Sequence, residues 1–255
     1  YWGVDRLGHL ERRLQALGVL RPGHRADEIV SRPDRRGEPP LRAVRRLRLE
    51  CFPSLRSPCT AIALRRVLAL RERLLVVIVW RPVLPMVMRG LPVPGAKRLY
   101  ILHDTKREAE LVGEPFGHVC DPVGRPVERG LSLWPFARAQ GRAGEYLHAF
   151  TRAAFAEGVD TGTDAALRHV VEEAGLAWDD ARPHLDGEGW REEVEENRRV
   201  LMESGLWGVP SFRLLGESGE PDFCTWGQDR LWLVEEIVRR RAVPTDPSGD
   251  IRSTI

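Results

Sequence analysis

Cysteine is scarce in this chain and badly placed for redox or metal chemistry. Four occur in 255 residues, at Cys51, Cys59, Cys120 and Cys224, with no CxxC pair and no metal-like spacing to the seven histidines. That argues against a structural disulfide framework and favours a cytoplasmic setting. His103, His148 and His169 fall in helical segments and His118 and His184 in loops, none paired at ligand spacing, so no metal site is expected. Long apolar runs are also missing. The strongest, residues 74–80, is strand-length, well short of the roughly 20 residues a membrane span needs. A formal net charge of +2 is too small to argue for nucleic acid, and the Arg-rich stretch 35–48 reads as a local linker feature. No Gly-rich phosphate loop and no Ser/His/Asp order can be found.

What is present is ordinary globular composition, 42% hydrophobic and 30% charged, and one internal repeat. The pattern Trp-Gly-x-Asp-Arg-Leu occurs at residues 2–7 and again at 226–231. Each copy opens an amphipathic run, LGHLERRLQAL after the first and LWLVEEIVRRR after the second. The second copy closes a domain, so residues 1–20 are expected to be the C-terminal helix of a preceding similar unit. Residues 21–46, rich in Pro, Gly and Arg, read as a linker. Residues 47–52 alternate with period two, as a half-buried strand does; 61–73 carry helical spacing; 74–80 read as a fully buried strand. Together they make a βαβ unit with parallel pairing. Helices are expected over 97–112, 144–156, 163–174 and 190–204, closed by Gly113, Gly158, Gly175 and Gly205, with Thr163 as an N-cap. Strand chemistry returns at 211–215 and 223–225, followed by a helix over 229–241. Residues 243–255 read as a flexible tail.

Three constellations could carry chemistry. Ser57-Pro58-Cys59-Thr60 joins the first strand to the first helix. A capped helix start explains it without function, but the same geometry puts a hydroxyl where unpaired amides and the helix dipole stabilise a negative sulfur. Gly208-Val209-Pro210-Ser211-Phe212 opens a strand. Were its X-Pro bond cis, the Val209 peptide would be turned toward an extended, peptide-like ligand. Gln228-Asp229 begins the last helix; capping accounts for it, and a carboxylate there could also receive a ligand ammonium group.

In this order the motifs resemble the DsbA-like branch of the thioredoxin superfamily, nearest the 2-hydroxychromene-2-carboxylate isomerases and kappa-class glutathione transferases. The resemblance spans about residues 47–242. It implies an α/β, thioredoxin-like fold at 47–92 and 205–242, interrupted by an all-helical insertion at 93–204. It also implies glutathione as cofactor: Ser57 would stabilise its thiolate, Val209 before cis-Pro210 would pair with its cysteinyl backbone, and Gln228 and Asp229 would bind its γ-glutamyl end. The chain departs from the family pattern at Cys59, at Thr60 and at Gly90-Leu91, where an Asn often stands. The implied activity is a glutathione-dependent isomerase or transferase acting on an electrophilic aromatic or unsaturated small molecule, with no nucleic-acid or membrane partner and a homodimer left open. Two alternatives stand beside it: a degenerate, non-catalytic module of a tandem protein, and a thiol oxidoreductase using Cys59.

Overall fold

The computed structural model describes residues 1, 3–19, 21–23, 32, 46–74, 76–216 and 219–242. Most of the expected linker and the whole expected tail lie outside these residues. The described elements run in the order α1 (Leu7–Ala16), β1 (Arg48–Phe52), α2 (Pro58–Leu74), β2 (Val77–Trp80), α3 (Gly95–Val112), α4 (Arg125–Ser132), α5 (Trp134–Ala139), α6 (Ala143–Phe155), α7 (Asp164–Glu173), α8 (Trp178–Ala181), α9 (Arg191–Glu203), β3 (Ser211–Leu214), β4 (Phe223–Trp226) and α10 (Leu231–Ala242). Between β2 and β3 every described regular element is helical.

The sheet has strand order β2-β1-β3-β4. β1 and β2 are parallel, as their helical crossover requires, while β3 is antiparallel to both β1 and β4. The register fixes the geometry of everything that follows. Phe52 pairs with Ser211, and Ser211 with Trp226. The end of β1, the start of β3 and the end of β4 therefore form one row, and the chain leaves that row at Ser57, Pro210 and Gln228-Asp229.

Two expectations about burial are corrected. β1 is buried on both faces except at Arg48, not half-buried. Glu50 interrupts its apolar residues, yet its carboxylate is covered by Arg81 at 2.7 Å and Arg213 at 3.4 Å. A paired charge can sit where an unpaired one could not. The run 74–80 yields a strand only from Val77, and that strand is half-buried throughout. It forms the sheet edge, with a neighbour on one side only.

The packing falls into two large clusters. One joins α2 and α10 to the sheet through Leu49, Val67, Phe212, Leu214, Leu231 and Val234. The other fills the helical region around Trp134, Tyr146, Phe150 and Trp190. The insertion tryptophans are thus core residues. The long insertion helices keep the bounds their caps suggest: Thr163 Oγ1 accepts from Ala166 N–H at 3.2 Å, and Gly113, Gly158, Gly175 and Gly205 all have φ between 70 and 75°.

The two Trp-Gly-x-Asp-Arg-Leu copies fold alike. Gly3 and Gly227 have φ of 87° and 107°, conformations that exclude most side chains. Each glycine precedes a single 3₁₀ turn (Val4–Arg6 and Gln228–Arg230), which runs into an α-helix beginning at the motif's leucine. In each, the arginine N–H donates to the glycine carbonyl, at 3.2 and 3.1 Å.

Candidate functional site

The row Phe52–Ser211–Trp226 gathers the candidate residues from three strand ends. Ser57 caps α2, its Oγ accepting from Thr60 N–H at 3.1 Å, while Thr60 Oγ1 receives Ser54 N–H at 3.3 Å from below. Among the described residues the Ser57 hydroxyl donates to nothing, and the side chain is partly exposed. A hydroxyl held by its oxygen, with its proton uncommitted, is a hydrogen-bond donor placed at the positive end of a 17-residue helix.

The Val209–Pro210 bond is cis. Among the described residues neither the N–H nor the C=O of Val209 is hydrogen-bonded, so its peptide is available to an extended ligand. Two contacts hold the loop. Pro210 C=O accepts from Gly227 N–H at 2.9 Å, and Gly208 passes so close to Trp226 that a Cβ would lie 2.2 Å from its Nε1. Trp226 also packs against Trp207, with ring centroids 5.1 Å apart and the planes tilted by 38°, and both rings stay half exposed beside the cis peptide.

Gln228 and Asp229 reach the same corner but are buried and engaged. Gln228 Oε1 accepts from Arg66 at 2.8 Å and its Nε2 donates to Glu108 at 2.6 Å. Asp229 Oδ2 accepts from Arg6 at 2.7 Å. Arg6 also donates to Asp104 at 2.7 Å, and Glu108 accepts from His9 at 2.7 Å and from Arg32 at 2.6 Å. Burial alone would raise the Glu108 carboxyl, but the hydrogen bonds from His9 and Arg32, with the charges of Arg32 and Arg6, hold it well below the usual carboxylate range. Sequence reasoning missed Arg6, Asp104, Glu108 and Arg66 as part of this corner. The signal available was the i, i+4 spacing of Asp104 and Glu108, which puts both carboxylates on one face of α3.

Cys59 behaves differently from Ser57. Its sulfur lies 3.6 Å from Thr105 Oγ1 on α3, and burial pushes its thiol up to about 11. It is no ready thiolate at neutral pH. Among the described residues no group of His, Cys, Asp and Glu could hold a metal ion, and no helix is long and apolar enough to cross a membrane.

A helix-interrupted sheet with a capped serine at the first helix start and a cis-proline opposite it points to one family. The family model for the DsbA-like thioredoxin domain matches residues 48–239. The chain belongs to the DsbA-like thioredoxin family. Among solved structures this DsbA-like chain is similar to a 2-hydroxychromene-2-carboxylate isomerase, with 21% identity over 76% of this chain and 95% of that one, and a TM-score of 0.62. It is also similar to the cytosolic disulfide reductase DsbM from Pseudomonas aeruginosa, with 21% identity, 76% and 99% coverage and a TM-score of 0.59. The same reductase with GSH gives 21% identity, 76% and 100% coverage and a TM-score of 0.56. At these identities the likeness is one of fold. No curated protein sequence matches the chain. The sequence of this DsbA-like chain contains no CxxC pair.

Proposed function

We propose that the chain is a glutathione-dependent isomerase or transferase, with Ser57 as its catalytic residue. The observation that carries this reading is the Ser57 hydroxyl: its oxygen is pinned by Thr60 N–H, among the described residues its proton is uncommitted and the Val209 peptide is unpaired, and both lie at the same end of the β1–β3 pair. One DsbA-like neighbour, DsbM, has been solved with GSH, and another is an isomerase.

The residues present fit glutathione at two of three places. Val209, before cis-Pro210, offers an N–H and a C=O to the cysteinyl unit in the manner of an added strand. Ser57 donates its hydroxyl proton as a hydrogen bond to the sulfur, and the α2 dipole adds positive potential there, so the thiolate is stabilised without a base. Gln228 and Asp229 have the right chemistry for a γ-glutamyl end, an amide and a carboxylate, but are engaged with Arg66, Glu108 and Arg6. Bound glutathione supplies a thiol nucleophile able to add reversibly to an electrophilic, aromatic or unsaturated substrate. The half-exposed Trp207–Trp226 pair is the apolar surface nearest the cis peptide on which a flat substrate could rest.

The test is direct binding of glutathione by titration calorimetry at millimolar concentration, with the ionisation of the bound thiol followed by thiolate absorbance against pH. Ser57→Ala should bind glutathione but raise its thiol pKa toward the free value. Absence of any binding to the parent protein would end this reading. The rival reading, a non-catalytic module, draws support from the arginine already seated on Asp229. Its signature is a Ser57→Ala protein that keeps every activity of the parent.

A further inference from the structure

The pairing between the two motif copies is reciprocal. Arg6 of the first reaches Asp229 of the second at 2.7 Å, and Arg230 of the second reaches Asp5 of the first at 2.6 Å. Two turns of the same local shape thus face each other, each arginine on the other's aspartate, as surfaces do across a two-fold interface. The contact is enclosed: the Arg6 and Asp229 side chains keep only 13% and 11% of their exposure. α1 extends the dock, with His9 bonded to Glu108 on α3.

We infer that the first motif copy, through the Arg6 guanidinium, is an internal competitor for the γ-glutamyl subsite, and that glutathione binds fully only when residues 3–16 release Asp229. This rests on the glutathione reading above and concerns the regulation of the same site. The chemistry is matched point for point. A γ-glutamyl end carries an α-ammonium cation, and Arg6 is a cation already bound to the carboxylate that would receive it. Arg6 holds Oδ2 of Asp229 in a contact that leaves the carboxylate 11% exposed, and Arg32 lies 4.0 Å from the same oxygen, so a further cation has no open approach while Arg6 stays. The plug does not hold the rest of the site: among the described residues no contact of Arg6 reaches Ser57 or Val209. The competition is therefore confined to the γ-glutamyl end. A thiol lacking that end should bind without displacing anything.

A plug of this kind lowers apparent affinity by the fraction of molecules in which it is open. For a minor open state of roughly 0.1–10%, the penalty is about 10- to 1,000-fold.

The experiment compares glutathione with cysteinylglycine, which has the thiol and the glycine end but no γ-glutamyl group, on the full chain and its Arg6→Ala variant by titration calorimetry. Arg6→Ala should tighten glutathione at least about tenfold and leave cysteinylglycine unchanged. Because that variant leaves buried carboxylates short of a partner, the parent protein is also followed by amide hydrogen exchange. Adding glutathione should strip protection from residues 7–16, and cysteinylglycine should not. Equal glutathione affinity in parent and variant, with residues 7–16 still protected, overturns the plug while leaving the glutathione reading standing. Weaker glutathione binding in Arg6→Ala makes Arg6 a ligand contact and overturns it too. Tightening of both thiols alike also rejects it, because the effect would not come from the γ-glutamyl end. If neither thiol binds parent or variant, the glutathione reading fails first and the plug falls with it.

Discussion

Glu108 is the buried anion on which the polar groups of this corner converge, and its removal should cost the fold heavily. Its carboxylate is almost wholly buried on α3 and accepts from His9 Nε2 at 2.7 Å, Arg32 at 2.6 and 3.2 Å, and Gln228 Nε2 at 2.6 Å, with Arg6 at 3.6 Å. Glu108→Ala leaves these donors facing each other without their anion. Breaking a buried pair by removing one partner costs about 3–5 kcal/mol, because the other charge stays uncompensated. Two features pull toward the lower end: Arg32 keeps a route to solvent at 19% exposure, and Gln228 retains its bond from Arg66. A loss of about 3 kcal/mol is therefore expected at neutral pH. With a urea m-value of about 2–3 kcal/mol/M, the unfolding midpoint followed by circular dichroism should fall by about 1–1.5 M. The pH dependence has a definite sign. A carboxyl held below its unfolded value of about 4.3 contributes stability that is fully present above that value and is lost as pH falls through the lower native one. The gap between parent and variant should therefore stay level at neutral pH and close in acid. A midpoint shift under about 0.3 M at neutral pH, or a gap that widens in acid, would refute the account of Glu108 as the anion this corner is built on.

Other outcomes follow from single contacts. Gly144 faces the sheet so closely that a Cβ would sit 2.4 Å from the Trp80 ring and 2.8 Å from Leu68; Gly144→Ala should cost about 1–3 kcal/mol by overpacking, read as a lowered melting temperature, and a neutral result would mean that α6 can slide on α2. Alkylation of Cys59, whose thiol burial pushes up to about 11, should accelerate with pH and still be climbing at pH 9; a plateau below about 8.5, the unperturbed thiol value, would reinstate it as a reactive cysteine. Thr163→Ala removes the oxygen that receives Ala166 N–H and should lower stability by about 1 kcal/mol, with faster amide exchange confined to the first turn of α7. No change in that turn would show the cap to be idle.

Local rules carried the chain far. Glycine ends, the Thr163 cap and the apolar spacing placed four long insertion helices within two residues of their bounds, because each signal acts inside one turn of backbone. The parallel β1–β2 unit was legible for the same reason: its crossover is short, 47–52 alternate with period two and 74–80 are a continuous apolar run. Burial was less legible. The run 74–80 looks like an interior strand and forms an edge, since the number of neighbours a strand has is decided by the whole topology and not by its composition. Short helices such as α4, α5 and α8 carry too few turns to show a period. The candidate site divides along the same line. Ser57, Val209-Pro210 and Gln228-Asp229 stand out as local motifs, with the cis bond implied only by the family resemblance, whereas Arg6 meets Asp229 across 223 residues. No pattern within either copy states that the two would bind each other.

The hydrogen bond from Gly227 N–H to Pro210 C=O, together with the glycine wedged under Trp226, has a mechanical consequence. The cis peptide and the Gln228-Asp229 turn arrive from opposite ends of two strands, and this bond and close contact tie the two segments together, so the spacing between them is set by the β3–β4 hairpin and not by the helices.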